Sequence, residues 1–235
     1  MKIILAFSAT LLISFTLLSQ VVTTDPAFPV TDQSVVVTFD ATQGNAGLAG
    51  YTGDVYAHTG VLTEESQMPN DWRYVKSGWG VNIPETKMTR IGADLYTLEI
   101  TPSIRAYYGV PQDEEIFQMA FVFRSSVEVN GQWLEGKTET GGDIFVDVTE
   151  PGLNITFLQP VNTPVLVALN EPIIIEVQAN EADQVSLYVE DNLIAQTSGN
   201  YLLETYIPDT YDLHWIKAVA ENNEGMVADS FYFQV

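Results

Sequence analysis

The sequence predicts an all-β protein, with two consecutive antiparallel β-sandwich domains behind a signal peptide. Three observations carry this. Apolar and polar residues alternate in short runs through residues 20–235, with little helical periodicity. Turn-forming residues break these runs every 8–12 positions, the spacing of small sandwiches. Between two such stretches, Glu150-Pro151-Gly152 punctuates the chain, and the composition changes across it.

Residues 1–19 open on Met1-Lys2 and continue as an apolar run from Ile3 to Leu18, broken only by Ser and Thr. This is the pattern of a secretory signal peptide, with cleavage expected near Ser19-Gln20; a retained membrane anchor is the rival reading, but the run is short for a bilayer span. In residues 20–150, strands are expected at Ser34–Ala41, with Val35, Val37 and Phe39 on one face, and at Asp94–Thr101, with Tyr96, Leu98 and Ile100. Ile116–Arg124 follows, with Phe117, Met119, Phe121 and Phe123 on one face, and Asp143–Val148 closes the domain. A helical turn is expected at Ser103–Tyr108, after Pro102. In residues 151–235 the alternating sets are Ile173, Ile175 and Val177; Val185, Leu187 and Val189; His214, Ile216, Ala218 and Ala220; then Ala228–Gln234.

Charge and composition exclude several functions. The chain of 235 residues carries 31 Asp and Glu against 9 Lys and Arg, a formal charge of −22. Removing residues 1–19 takes Lys2 with it and leaves −23. Residues 20–150 hold 19 acids and 7 bases, residues 151–235 hold 12 acids and the single base Lys217. Such a surface repels nucleic acid and anionic lipid. Cysteine is absent, which excludes disulfides, thiolate zinc sites, a cysteine nucleophile and a lipidated cysteine anchor. Two histidines leave little for histidine-based catalysis or metal binding. The expectation is an exported, non-catalytic protein with no cofactor, no metal and no transmembrane span after cleavage.

Several motifs imitate catalytic ones. Gly131–Thr138 fits the spacing of a phosphate-binding loop, but no helix pattern follows it, and Trp133, Leu134 and Glu135 fill the loop where the backbone would approach phosphate. It reads as a β-hairpin loop. The acid pairs Glu64-Glu65 and Glu114-Glu115 are sequence neighbours, whereas glycosidase carboxylates face each other across a cleft. Asp191-Asn192 and Glu221–Gly225 lack calcium-loop spacing and read as turns. His214 alternates with core positions and reads as a buried strand histidine without a nearby partner.

The aromatic residues of the first domain carry more. Tyr56-Ala57-His58 puts a phenol and an imidazole on one strand face, and Trp72 and Trp79 follow on loop-like segments. Exposed indoles invite stacking by the apolar C–H face of a sugar ring, with hydroxyls bonded by neighbouring polar groups. The competing reading is that both tryptophans belong to the sandwich core.

The stretch Val21–Val148 resembles a domain at the amino end of exported α-amylase-family proteins of Bacteroidetes. Val21–Pro29, Val37–Thr42, Leu48–Gly60, Trp79-Gly80, Tyr96–Leu98, Ile100–Arg105, Met119–Arg124 and Gly141–Val148 carry the resemblance. Tyr56–His58, a tryptophan fourteen residues on, and Phe121–Phe123 followed by Trp133 also resemble compact starch-binding modules of bacterial amylases. The resemblance implies binding of α-glucan or maltooligosaccharide. His58 would be the polar contact, Trp72 and Trp79 the platforms, and Tyr56 and Trp133 accessory contacts. It also implies an amylase catalytic domain, attached or separate, as partner. Residues 151–235 resemble the immunoglobulin-like or fibronectin-like spacers of surface glycosidases, through Ser186–Ala195 and His214–Gly225. The alternative is a cell-surface adhesin or structural spacer with no sugar site.

Overall fold

The computed structural model describes residues 20–160 and 165–235. The signal-peptide reading falls on residues 1–19, outside the described residues. The chain is built as all-β, in two sandwiches whose strands pair antiparallel, except that the short strand Val165–Leu166 runs parallel to the last strand, with Val165 opposite Phe233.

The first contains β1 (Val22–Asp25), β2 (Val35–Asp40), β3 (Val55–Thr63), β4 (Thr89–Gly92), β5 (Leu95–Ile100), β6 (Ile116–Ser125), β7 (Glu135–Gly136) and β8 (Ile144–Asp147). One sheet runs β1-β2-β5-β4; the other runs β3-β6-β7, with β8 also paired to β6. Alternation places Val37 opposite Leu98 and Phe39 opposite Tyr96, all buried. The facing sheet contributes Ala57, Phe121 and Phe123. The Phe39 ring stacks on Phe123 at 4.0 Å and joins the two layers. The expected turn is the helix α1 (Ile104–Tyr108), capped by the Ser103 side chain, which accepts from the Ala106 amide, and ended by left-handed Gly109.

One strand departs from its pattern. Phe117 was expected on the buried face with Met119, yet it is 46% exposed and Ile116 is buried instead. Leu62 pairs with Gln118 and Thr63 with Ile116, so Phe117 is the extra residue of a β-bulge. The bulge reverses the in–out parity at the start of β6.

Close packing predicts one large local effect. Gly136 on β7 lies against the edge of the Phe39 ring, and an added Cβ would overlap its Cε and Cζ atoms. Because Phe39 is locked against Phe123, Gly136→Ala is expected to cost at least the ~1–3 kcal/mol of an overpacked core. Chemical denaturation of the variant checks this.

The second sandwich contains β9 (Asn154–Gln159), β10 (Val165–Leu166), β11 (Ile173–Asn180), β12 (Gln184–Val189), β13 (Asn192–Ser198), β14 (Tyr201–Tyr206), β15 (Leu213–Asn222) and β16 (Gly225–Gln234). Its sheets run β14-β11-β9 and β10-β16-β15-β12-β13. The predicted alternating sets on β11, β12 and β15 are buried. Phe157 meets Phe231 edge to face at 4.9 Å between the layers. His214 is buried, as expected, but it has neighbours. Its ring stacks on Phe233, its Nε2 lies 3.3 Å from the Thr210 carbonyl, and its Nδ1 is 3.8 Å from Glu190. Thr210 and Glu190 come from adjoining loops, which strand alternation does not register.

Buried apolar residues form two clusters that share no member, Val22–Val148 and Ile173–Phe233. Residues 152–235 expressed alone are therefore expected to melt cooperatively. A broad, non-cooperative melt would mean that the two halves share one core.

Candidate functional site

The outer face of the β3-β6-β8 sheet builds the site. Along β3, Tyr56 and His58 point away from the core, paired with Arg124 and Val122 of β6. Phe145 of β8 pairs with Ala120 on the same face. The segment after β3 then folds back along its edge. Val61 and Arg73 exchange backbone bonds of 3.0 and 2.8 Å, and the Lys76 amide donates to the Thr59 carbonyl at 3.0 Å. Gly60 permits this approach, since a Cβ there would sit 2.9 Å from the Arg73 carbonyl oxygen and 3.0 Å from the Val75 side chain.

This return lays both indoles over the face. Trp72 stacks on His58 with ring centres 5.5 Å apart at 27°, and its edge meets Phe145. Trp79 stands at 82° to His58, 5.1 Å away, and meets Trp133 edge-on at 6.5 Å. The four rings form a continuous line: Trp72, His58, Trp79, Trp133. Trp79 is 43% exposed; the other three are half-buried.

His58, Trp72 and Trp79 line one groove of about 380 Å³, with Asn70, Asp71, Lys137 and Asp143 around its rim. Trp133 lines a neighbouring hollow of about 530 Å³ with Asn45, Gln132 and Glu135. Tyr56 is outside the lining of both. It flanks the Arg124 guanidinium at 5.5 Å, with Trp133 on that cation at 5.1 Å. Thus the structure gathers His58, Trp72 and Trp79, sets Trp133 beside them, and occupies Tyr56 with Arg124.

Arg124 was not among the residues expected from sequence. It is 1% exposed and donates to Asn82 Oδ1 at 2.8 Å, to the Val81 carbonyl at 2.6 Å and to the Ser125 carbonyl at 3.0 Å. It therefore ties the far end of the tryptophan loop to β6. The signal was the β6 alternation, which sends Val122 and Arg124 to the face of Tyr56 and His58. The same parity on β8 places Phe145 under Trp72.

Two polar atoms of the cluster are buried with no hydrogen-bond partner among the described residues: Trp72 Nε1 and His58 Nδ1. Burial, then the nearby Arg124 guanidinium, pull the His58 pKa below its ordinary value, while Asp143 pulls it back. The imidazole is accordingly neutral at pH 7, able to donate from one nitrogen and accept at the other.

The motifs that imitate catalysis are accounted for by structure. Gly131–Thr138 contains β7, which pairs antiparallel with β6, and Thr138 closes a turn with Gly142. Glu114 accepts from Thr63 Oγ1 and from the Tyr74 hydroxyl, and Glu64 accepts from the Glu115 amide. Asn222 Oδ1 accepts from the Glu224 and Gly225 amides in the last hairpin turn. Among the described residues no group of three or more His, Cys, Asp or Glu side chains could hold a metal ion.

No family model and no curated protein matches the chain. Solved structures similar to it include the CbhA fibronectin(III)-like modules of Clostridium thermocellum, 14% identical, covering 91% of this chain and 93% of that one at a TM-score of 0.30. A titin structure is 9% identical over 88% and 92%, with a TM-score of 0.30. The human OSCAR ligand-binding domain is 10% identical over 91% and 94%, with a TM-score of 0.28. The likeness is distant at these values, and the architecture stands on the sheet order itself.

Proposed function

We propose that the protein is an exported, non-catalytic carbohydrate-binding protein that holds α-glucan in the His58–Trp72–Trp79 groove. The observation that carries this is the aromatic line itself. An outer sheet face holds an exposed indole and a stacked indole–imidazole pair, in a groove that Asn70, Asp71, Lys137 and Asp143 also line. Apolar sugar faces suit the rings, and hydroxyls suit the rim. The resemblance of Val21–Val148 to amylase-associated domains points to α-1,4-glucan. Its role would be to keep an amylase, attached or separate, near starch by raising local concentration.

A second reading draws on the same rings. They pack on one another rather than lying flat and parallel, as they would in a spacer or adhesin whose loop is merely anchored by aromatics. Affinity electrophoresis in gels containing amylopectin separates the two. Retardation relative to plain gels is expected; equal migration in both would leave the spacer reading.

A further inference from the structure

Beside its rings, the groove of the first sandwich is lined by four polar side chains: Asn70, Asp71, Lys137 and Asp143. Two of them are already engaged. Asp71 accepts from the Gln67 amide at 3.0 Å and lies 3.3 Å from the Arg73 guanidinium. The Lys137 ammonium is 2.7 Å from Glu135 Oε2. Asn70 is exposed in the turn ahead of Trp72. Asp143 stands apart. It is half-buried, yet its carboxylate has no hydrogen-bond or ion-pair partner among the described residues. Unlike His58 Nδ1 and Trp72 Nε1, its oxygens are not sealed from solvent.

The backbone fixes Asp143 from both sides. Thr138 donates through its amide and its hydroxyl to the Gly142 carbonyl, both at 3.0 Å, and Ile144 pairs with Phe121 of β6. Partly desolvating a carboxylate without a partner is costly, whereas holding it rigid spares a ligand the cost of ordering it. An ionised carboxylate donates nothing and offers two acceptor oxygens. It therefore suits two adjacent hydroxyls of one sugar, such as the O2–O3 pair along the edge of an α-1,4-glucan, through charge-assisted bonds. His58, flanked by both indoles and with Nδ1 sealed, has at most one nitrogen to offer.

We propose that Asp143 is the specificity-determining polar contact of the groove, accepting a pair of adjacent sugar hydroxyls while the indoles take the ring face; this rests on the groove being the glucan site.

The test is calorimetric titration of the full chain with maltoheptaose, with β-cyclodextrin, and with β-cyclodextrin methylated at O2 and O3. Asp143→Ala is expected to keep the wild-type melting temperature and to bind the two unmodified glucans at least tenfold more weakly. Asp143→Asn, the same shape with one acceptor oxygen left, should keep the fold and lose less. Methylation should weaken binding to the wild type by a similar factor and cost Asp143→Ala nothing further, because both changes remove the same contact. Unchanged affinity in Asp143→Ala and Asp143→Asn would overturn the proposal while leaving the groove as the glucan site. Losses from methylation and from Asp143→Ala that simply multiply would do the same. A wild-type protein that binds neither unmodified glucan at millimolar concentration would overturn the groove reading itself, and this contact with it.

Discussion

Glu150→Ala is expected to lower folding stability by about 2–3 kcal/mol, below the full cost of breaking a buried ion pair, because Arg105 is buried but the Glu150 side chain keeps 30% of its surface in solvent. Arg105, on α1, is only 5% exposed, and its Nη2 holds both oxygens of Glu150 at 2.5 and 2.6 Å. The same carboxylate accepts from Thr31 Oγ1 at 2.6 Å and from the Ile116 amide at 3.0 Å. One side chain at the last position of the first sandwich therefore joins the start of β6, α1 and the segment before β2. Removing it strands a guanidinium that keeps only the Pro111 and Glu114 carbonyls. In a domain of this size the loss corresponds to roughly 5–15 °C in melting temperature. Scanning calorimetry should show the first transition moving by that much. Glu150→Gln retains an acceptor and is expected to lose less. If Glu150→Ala melts with the wild type, the cluster contributes nothing net.

The same carboxylate gives the first sandwich a pH signature. Burial pushes the Glu150 pKa up, but the bonds from Thr31, the Ile116 amide and Arg105 outweigh it and hold the pKa below the ordinary 4.5. The folded value is thus depressed. Its stabilisation is fully present above the ordinary value and is lost as pH falls through the folded one. Acid unfolding of the wild type should therefore be steeper than that of Glu150→Gln, measured by circular dichroism from neutral pH downward.

How much of this was legible in the sequence depends on the range of the interaction. Strand parity is local, so Val37, Tyr96, Phe121, Ile175, Leu187 and Ile216 were placed on their buried faces from alternation alone. The same rule failed at Phe117, because the bulge that ejects it is set by pairing with Leu62 and Thr63, more than fifty positions away. The site divides similarly. Tyr56 and His58 share a strand, and their common face was readable. That Trp72 would lie flat on His58 depends on the return of residues 71–76 along the edge of β3, which no local pattern encodes. Arg105 and Glu150 looked like two charges among forty; their pairing follows from α1 closing over the end of the sheet. His214 was placed correctly as a core histidine, but its neighbours Thr210 and Glu190 come from loops.

Trp79→Ala is expected to lose sugar and keep its melt, and Trp72→Ala to lose sugar and part of its melt. The sequence suggested surface platforms at both positions, but their environments differ. Trp79 is the more exposed ring and meets His58 and Trp133 only with tilted contacts. Its truncation opens space to solvent, so stability should change by no more than about 0.5 kcal/mol. Binding should fall by roughly 1–3 kcal/mol, about ten- to a hundredfold, as for other aromatic anchors. Trp72 covers His58, touches Phe145 and buries its Nε1. Removing it should cost a fraction of the ~3–5 kcal/mol that a fully buried tryptophan costs, because one side of the ring remains in the groove. His58→Ala should weaken binding less than either, near the ~0.5–1.5 kcal/mol net value of a hydrogen bond. Maltoheptaose affinity and melting temperature measured on the same three variants decide the matter. If Trp79→Ala binds like the wild type, the groove is not the glucan site. If it loses its melt as Trp72→Ala does, the loop is held by its aromatics, and the spacer reading accounts for the cluster.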